Sequence, residues 1–214
     1  MIQIFILGSS SAYGVGSSQG GWADMLKQAI HEKMYGTGGV GEKYELYNFS
    51  KSGAPIDFVL KTFPQQLSQY GRGGTIISVV AVGGNNSKAE ERPDNYVSTI
   101  EEYRKEMSEL LDLLKARSSA VIFVGSGFVD ETKTTPKLSP LSGKKSYFTN
   151  SRRVEFAECV KALCAERNIP FIDVGVSEKE WKRKYLYTDG LHANARGHEL
   201  INRKVLAEVE KYLK

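Results

Sequence analysis

The stretch Ile4-Phe5-Ile6-Leu7-Gly8-Ser9-Ser10-Ser11 joins an apolar run to a glycine and a turn of three serines. The apolar run starts at residue 2 and is nearly continuous, which is typical of a strand buried on both faces. Such strands occur in parallel sheets that carry helices on both sides. We therefore expect the serines to lie at the carboxyl end of a strand, where open α/β sheets bind their ligands.

The rest of the chain alternates strand-like and helix-like segments. We predict strands over residues 2–7, 44–49, 75–82, 120–124 and 170–174, and helices over residues 22–34, 55–67, 95–117, 147–168 and 195–213. Residues 125–145 show no clear period and are predicted to form a long loop or lid beside the site. This alternation predicts one α/β domain over residues 1–214 with a doubly wound, mostly parallel five-stranded sheet.

Composition and charge limit the classes of function. The chain has 214 residues, enough for one domain, and its 41% hydrophobic content is ordinary for a globular protein. A net charge of +4 with scattered basic residues argues against nucleic-acid binding. No apolar stretch is long enough to span a bilayer and no signal-peptide pattern is present, so we expect a cytoplasmic protein without a membrane partner. Cys159 and Cys164 are expected to remain free thiols.

A histidine near the carboxyl end of the chain is the best candidate for a general base. In Asp189-Gly190-Leu191-His192 an aspartate precedes the histidine by three residues, in a turn that contains glycine. At this spacing the carboxylate can orient the imidazole and stabilise its cation. The alternative is that Asp189 caps a helix that begins near Ala193. The other histidines, His31 and His198, are expected to have surface and packing roles.

Two loops that follow predicted strands contain candidate oxyanion donors. Gly53 can offer a backbone N–H with no Cβ to block a close approach. Asn85, in Gly83-Gly84-Asn85-Asn86, can offer its side-chain amide, and the backbone N–H of Ser10 is a third donor. Alternatively, Gly53 is a turn glycine and Asn85 belongs to an Asx turn. A nucleophile, a base, an orienting acid and oxyanion donors are together typical of a serine hydrolase.

With these motifs the chain resembles the SGNH hydrolases, also called the GDSL esterase/lipase family, over nearly its whole length. The matching blocks are residues 8–14, 48–53, 83–86 and 189–198, of which the last is the most specific. The resemblance implies a flavodoxin-like, three-layer α/β/α fold. It also implies Ser10 as nucleophile, His192 as base and Asp189 as its orienting acid. Gly53 and Asn85 are the implied oxyanion donors, and the position of His198 is usually structural.

Two positions depart from the family pattern. The family usually has aspartate where this chain has Ser9 and where it has Asn86. Both positions lie beside a residue with an implied role, not at one. The first departure leaves three consecutive serines, and spacing alone does not choose the nucleophile among them. The family position, two residues after Gly8, selects Ser10.

The predicted function is hydrolysis of carboxylic esters through a Ser-His-Asp triad and an acyl-enzyme, with no metal or other cofactor. A short acyl group such as acetyl, on a small molecule or a carbohydrate, is favoured because no long apolar lid is evident. The alternatives are an O-acyltransferase with the same triad and a ligand-binding module with little or no activity. A metal site of Asp189, His192, His198 and Asn85 lacks the usual ligand spacing. The glycines at residues 14–20 start too far beyond the strand to bind a dinucleotide.

Overall fold

The apolar run near the amino terminus forms the strand β1 (Ile2–Gly8), and every residue in it is buried. Successive side chains of a strand point to opposite faces of the sheet. Ile4 and Ile6 pack into the core on one face, whereas Phe5 and Leu7 pack into the core on the other. The run is apolar apart from Gln3 because both faces of the sheet are covered, and the buried Gln3 side chain is hydrogen-bonded to Glu45 and to the backbone of Tyr70 and Arg72.

A computed structural model describes residues 1–140 and 142–213. The further strands are β2 (Tyr44–Asn48), β3 (Thr75–Ala81), β4 (Ala89–Glu90), β5 (Ala120–Val124), β6 (Lys137–Leu138), β7 (Lys145–Tyr147) and β8 (Phe171–Ile172). The helices are α1 (Ser10–Tyr13), α2 (Trp22–Tyr35), α3 (Ile56–Tyr70), α4 (Ile100–Arg117), α5 (Glu131–Thr134), α6 (Asn150–Glu166), α7 (Glu178–Lys184) and α8 (Ala195–Val209), followed by a 3-10 turn at Glu210–Tyr212. In the described part of the chain, no helix combines the length and the apolar character needed to cross a membrane.

One parallel sheet carries the site, with helices on both of its faces. Its strand order is β2-β1-β3-β5-β8, and all four pairings are parallel. Helices α2 and α8 cover one face with side chains such as Trp22, Leu26 and Val205. Helices α3, α4 and α6 cover the other with side chains such as Met107 and Phe156. This arrangement confirms the predicted three-layer, doubly wound α/β/α fold.

The prediction of a long loop over residues 125–145 is wrong where a short helix and short strands interrupt that segment. The segment contains α5, β6 and the start of β7, and a small antiparallel sheet forms in the order β4-β7-β6. Ser146 pairs with Glu90 on one side and with Lys137 on the other. Strands of two or three residues are too short to show an alternating pattern in the sequence. Leu141 lies outside the described residues.

Other element boundaries also differ from the prediction. Helix α4 begins at Ile100 and not at residue 95, because Thr99 and Glu102 form a reciprocal capping box. Helix α6 begins at Asn150 and not at residue 147, since Tyr147 belongs to β7. Strand β8 has two residues where five were predicted, and α8 gives way to the 3-10 turn before residue 213. The short helices α1 and α7 were not predicted.

Candidate active site

Ser10 is the first residue of α1 and follows the carboxyl end of the central strand β1. The glycine at position 8 is required because a Cβ on Gly8 would lie 2.7 Å from the carbonyl oxygen of Ala81 on the neighbouring strand. The N–H of Ser9 donates to the same oxygen at 3.1 Å. Helix α1 ends at Gly14, whose φ of 98° is in the left-handed region that favours glycine. The tight turn thus holds Ser10 at the sheet edge where ligands bind.

His192 contacts Ser10 although 182 residues separate them in the sequence. The Nε2 atom of His192 lies 2.9 Å from Oγ of Ser10, and its Nδ1 atom lies 2.6 Å from Oδ2 of Asp189. The side chains of His192 and Asp189 are 14% and 21% exposed, so solvent screens this pair only partly. With Nδ1–H donating to the carboxylate, Nε2 is the atom that can accept the proton of the Ser10 hydroxyl.

Asp189 is held by the backbone as well as by the imidazole. Its Oδ1 atom accepts hydrogen bonds from the N–H groups of Leu191, at 2.9 Å, and His192, at 3.0 Å. Burial alone raises the pKa of this carboxyl group, but the hydrogen bonds from the His192 side chain and the two backbone N–H groups hold that pKa well below its usual range. Asp189 does not cap a helix: α8 is capped by Asn194, which accepts from the N–H of Gly197.

Lys137 also contacts Asp189, and the sequence analysis did not single it out. Its Nζ atom donates to the carbonyl oxygen of Asp189 at 2.9 Å and lies 3.5 Å from Oδ2, the oxygen that contacts His192. The lysine side chain is 19% exposed. It therefore joins the small sheet to the loop that carries the aspartate. The only signal in the sequence was the set of lysines in residues 125–145, which does not tell which of them reaches the site.

The two loops with candidate oxyanion donors are joined by a hydrogen bond. Nδ2 of Asn85 donates to the carbonyl oxygen of Ala54 at 3.0 Å, and Gly53 immediately precedes Ala54. The N–H of Lys51 donates to the carbonyl oxygen of Gly8 at 3.1 Å, which brings the Gly53 loop to the end of β1. The φ of Gly53 is 80°, a conformation that glycine adopts without strain. Both loops are thus anchored beside the turn that contains the serines.

A cavity of about 90 Å³ lies beside these residues. Ser10, Asn85 and His192 line it together, whereas Gly53 lies in the adjoining loop and is not part of its wall. A cavity of this size holds about three water molecules at the density of liquid water. Much of the remaining wall is aromatic, contributed by Tyr103, Phe123, Phe148, Phe156, Phe171 and Trp181. The cavity therefore suits a substrate group of a few heavy atoms.

Asn86, where the family usually has aspartate, is buried in a network of polar contacts. Its Oδ1 atom accepts from the N–H of Ile56 at 3.2 Å. Its Nδ2 atom donates to Oγ of Ser98 at 3.1 Å and to Oε2 of Glu106 at 3.3 Å. An aspartate cannot donate to Glu106, whose pKa is raised by burial and by neighbouring acidic residues. The contact with Glu106 explains this departure, and nothing in the structure explains the one at Ser9.

His198 and the two cysteines lie outside the constellation. His198 is fully buried, its Nδ1 accepts from the N–H of Trp22 at 3.2 Å, and its Nε2 donates to the carbonyl oxygen of Val15 at 3.0 Å. Both ring nitrogens are therefore engaged in packing contacts. Cys159 and Cys164 are buried free thiols. Among the described residues, no three His, Cys, Asp or Glu side chains are grouped as metal ligands.

Known proteins with the same architecture were found by sequence and by structure. The profile of the GDSL-like lipase/acylhydrolase family matches residues 6–200, and no curated protein sequence matches the chain. A lipase/acylhydrolase from Enterococcus faecalis has a TM-score of 0.73 and 17% identity, covering 100% of this chain and 98% of that one. A member of the lipolytic G-D-S-L family from Veillonella parvula DSM 2008 has a TM-score of 0.71 and 18% identity, covering 100% of both chains. An acetylxylan esterase from Geobacillus stearothermophilus has a TM-score of 0.68 and 15% identity, covering 97% of this chain and 93% of that one.

Proposed function

Because the chain belongs to the GDSL-like lipase/acylhydrolase family and is a serine hydrolase that acts on ester bonds, we propose that it hydrolyses short-chain carboxylic esters through Ser10, His192 and Asp189. The observation that carries the proposal is the continuous line of hydrogen bonds from Oγ of Ser10 through His192 to Asp189. This line supplies the base that a serine hydroxyl needs to become a nucleophile at neutral pH.

The reaction begins when Oγ of Ser10 attacks the ester carbonyl carbon and Nε2 of His192 takes the hydroxyl proton. Asp189 stays ionised and stabilises the imidazolium that forms, because its carboxylate already contacts Nδ1. His192 then gives the proton to the leaving alcohol, and the acyl group remains on Ser10. A water molecule then attacks the acyl carbon while His192 takes a proton from it. The bond from the acyl carbon to Oγ of Ser10 breaks, the acid is released, and His192 returns the proton to the serine.

The negative charge that develops on the carbonyl oxygen needs donors that are already in place. We assign the N–H groups of Ser10 and Gly53 and the side-chain amide of Asn85 to this role. One hydrogen of the Asn85 amide is held by the carbonyl oxygen of Ala54, which fixes the amide and leaves its second hydrogen for the substrate. Donors held in this way need no reorganisation when the charge forms.

Acetyl and similarly small acyl groups are the proposed acyl portion. A cavity of about 90 Å³ with largely aromatic walls accommodates a few heavy atoms and leaves no room for a long lipid chain. An acetyl group on a carbohydrate is one form of such an ester, and the similarity to an acetylxylan esterase supports it. Residues 1–214 would act as a single catalytic domain.

Hydrolysis of p-nitrophenyl acetate and labelling by a fluorophosphonate test the proposal directly. We expect the wild-type protein to release p-nitrophenol and to label, and both properties to disappear in Ser10→Ala and His192→Ala. Ser9→Ala and Ser11→Ala are matched controls that remove a neighbouring hydroxyl and should still label. Labelling that persists in Ser10→Ala would move the nucleophile to another serine. A wild-type protein that neither turns over nor labels would contradict the proposal and favour a binding module.

A further inference from the structure

One strongly basic side chain, Arg153, forms part of the cavity wall beside the candidate catalytic residues. It lies in the first turn of α6, and Phe156, Ala157 and Val160 of the same helix line the cavity with it. Positions three, four and seven residues apart share one face of a helix, so this face of α6 is turned toward the cavity. Arg153 is partly exposed, in keeping with a position at an accessible wall.

Only one edge of the Arg153 guanidinium, formed by Nε and Nη2, makes hydrogen bonds to the described residues. Nε and Nη2 both donate to the carbonyl oxygen of Gly127, at 3.2 Å and 2.8 Å. Gly127 packs closely against Trp181, because a Cβ on it would lie 2.2 Å from the tryptophan ring. A guanidinium has five N–H donors. Three of them, on Nη1 and Nη2, have no acceptor among the described residues.

Arg153 has no carboxylate partner in the part of the chain that the structure describes. Removal from water lowers the pKa of its guanidinium to about 10, and no neighbouring acid offsets this effect. The side chain nevertheless remains cationic at neutral pH. A cation that is partly withdrawn from water and has no counter-ion is costly. The hydrogen bonds to the carbonyl oxygen of Gly127 use one edge of the guanidinium, so this structural contact leaves the other edge without a partner among the described residues.

The free end of the guanidinium lies next to the Asn85 loop. Nη1 is 3.5 Å from the position that a Cβ on Gly84 would occupy, and Gly84 directly precedes Asn85. Among the described lining residues there is no lysine, aspartate or glutamate, so Arg153 is the one fixed charge of the cavity. One positive charge, presented as two parallel N–H groups, matches one carboxylate.

We propose that Arg153 binds a carboxylate group of the substrate, so that the preferred esters are anionic. This inference rests on the proposed esterase function and adds the class of ester to it. The carboxylate belongs either to the acyl part of the ester or to the alcohol part. In both cases it accepts hydrogen bonds from Nη1 and Nη2 while the ester carbonyl lies between Ser10 and Asn85. The substrate supplies the counter-ion that the protein lacks.

Two pairs of esters, each differing in one charge, test the inference and separate the two sources of the carboxylate. Monoethyl succinate against ethyl butanoate places the charge on the acyl side, and para-acetoxybenzoate against para-acetoxybenzamide places it on the alcohol side. We expect the wild-type protein to favour the anionic ester in one pair by about tenfold or more in kcat/KM, the range of a charge-assisted hydrogen bond. Arg153→Met should lose this preference and keep its activity on the neutral ester.

Matched variants separate charge recognition from structural support. Arg152 is the neighbouring arginine; it does not line the cavity, stacks on Tyr96 and donates to the backbone carbonyls of Ser87 and Ser98. Arg152→Met should therefore keep the preference for the anionic ester. Arg153→Lys keeps the charge but lacks the two parallel N–H groups, so it should retain part of the preference for the anionic ester. It replaces Arg153→Met in the test if Arg153→Met does not fold. An equal loss on the neutral and the anionic ester in Arg153→Met would overturn the inference.

Turnover of the neutral esters measures the proposed function independently of the charge preference. A wild-type protein that hydrolyses neutral esters with no preference in either pair would refute the role of Arg153 and leave the esterase proposal intact. If the wild-type protein hydrolyses none of these esters, titration calorimetry measures the binding of both anionic esters to Ser10→Ala and to Ser10→Ala/Arg153→Met. Weaker binding to the double variant is the result expected for a carboxylate site at Arg153. Equal binding to the two variants would also overturn the inference.

Discussion

The substitution Asp189→Asn replaces the carboxylate that contacts His192 with an amide of nearly the same shape. It therefore tests which nitrogen of His192 carries the proton without changing the geometry of the site. In Asp189→Asn, the oxygen that accepts from the N–H groups of Leu191 and His192 can be kept, because the amide oxygen takes the place of Oδ1. These two donors then fix the amide so that its NH2 group faces Nδ1 of His192. Nδ1 becomes the acceptor, Nε2 carries the hydrogen, and His192 can no longer take the proton of Ser10.

The expected loss is about 10⁴-fold in kcat, which is the magnitude known for the wrong histidine tautomer in a serine hydrolase triad. KM for p-nitrophenyl acetate should change little, since Asp189 does not line the cavity that binds the ester. Steady-state kinetics give both values. Asp173→Asn is a matched control, because Asp173 also accepts a backbone N–H, from Gly175, but is exposed and does not line the cavity. It should keep full activity.

Asp189→Asn should also change how stability depends on pH. The pKa of Asp189 in the folded protein lies below the unfolded value of about 3.9, so the carboxylate stabilises the fold above that pH. This stabilisation is lost as the pH falls toward the folded pKa. Denaturant titrations should show a stability difference between wild type and variant that is constant near neutral pH and shrinks in acid. A variant that keeps more than about a tenth of the wild-type kcat would refute the assigned role.

Three further substitutions test the surroundings of the site. Asn85→Ala should lower kcat about a hundredfold with little change in KM, because an oxyanion donor acts mainly in the transition state; a change in KM alone would contradict this. Lys137→Met should lower kcat by less than about tenfold, because Asp189 keeps its hydrogen bonds from His192 and the backbone. Asn86→Asp should destabilise the fold by about 1–3 kcal/mol near neutral pH, because the new carboxylate faces Glu106. The pair cannot both ionise, so urea titrations should show stability recovering as the pH falls.

Elements whose own residues decide their structure could be predicted from the sequence. Strand β1 is specified by a nearly continuous apolar run, and the contact between Asp189 and His192 by a spacing of three residues in one turn. The start of α4 was misplaced although its signal was present, because Thr99 and Glu102 have the spacing of a capping box. Local patterns of this kind remain readable in a single sequence.

Contacts between distant segments could not be predicted in the same way. Lys137 and Arg153 are ordinary basic residues in the sequence, and their importance comes from what the fold places beside them. Strands β6 and β7 exist because they pair with each other and with β4, and two or three residues carry no period of their own. The contact between Ser10, one of three consecutive serines, and a histidine 182 residues away likewise belongs to the fold and not to a local pattern.

Residues 125–145 contain side chains and backbone groups that support the loop carrying Asp189. This role differs from that of a lid, which the composition of the segment suggested. The N–H of Asp130 donates to the carbonyl oxygen of Gly190 at 2.8 Å, and Nζ of Lys133 donates to that of Thr188 at 3.3 Å. Lys137 adds a bond to the carbonyl oxygen of Asp189 itself, so three consecutive residues of the loop are held from one side. Catalysis by a triad requires its members to stay within a few tenths of an ångström of the reactive geometry. A segment bonded to the backbone on which Asp189 sits provides this rigidity, and a lid that opened would release it.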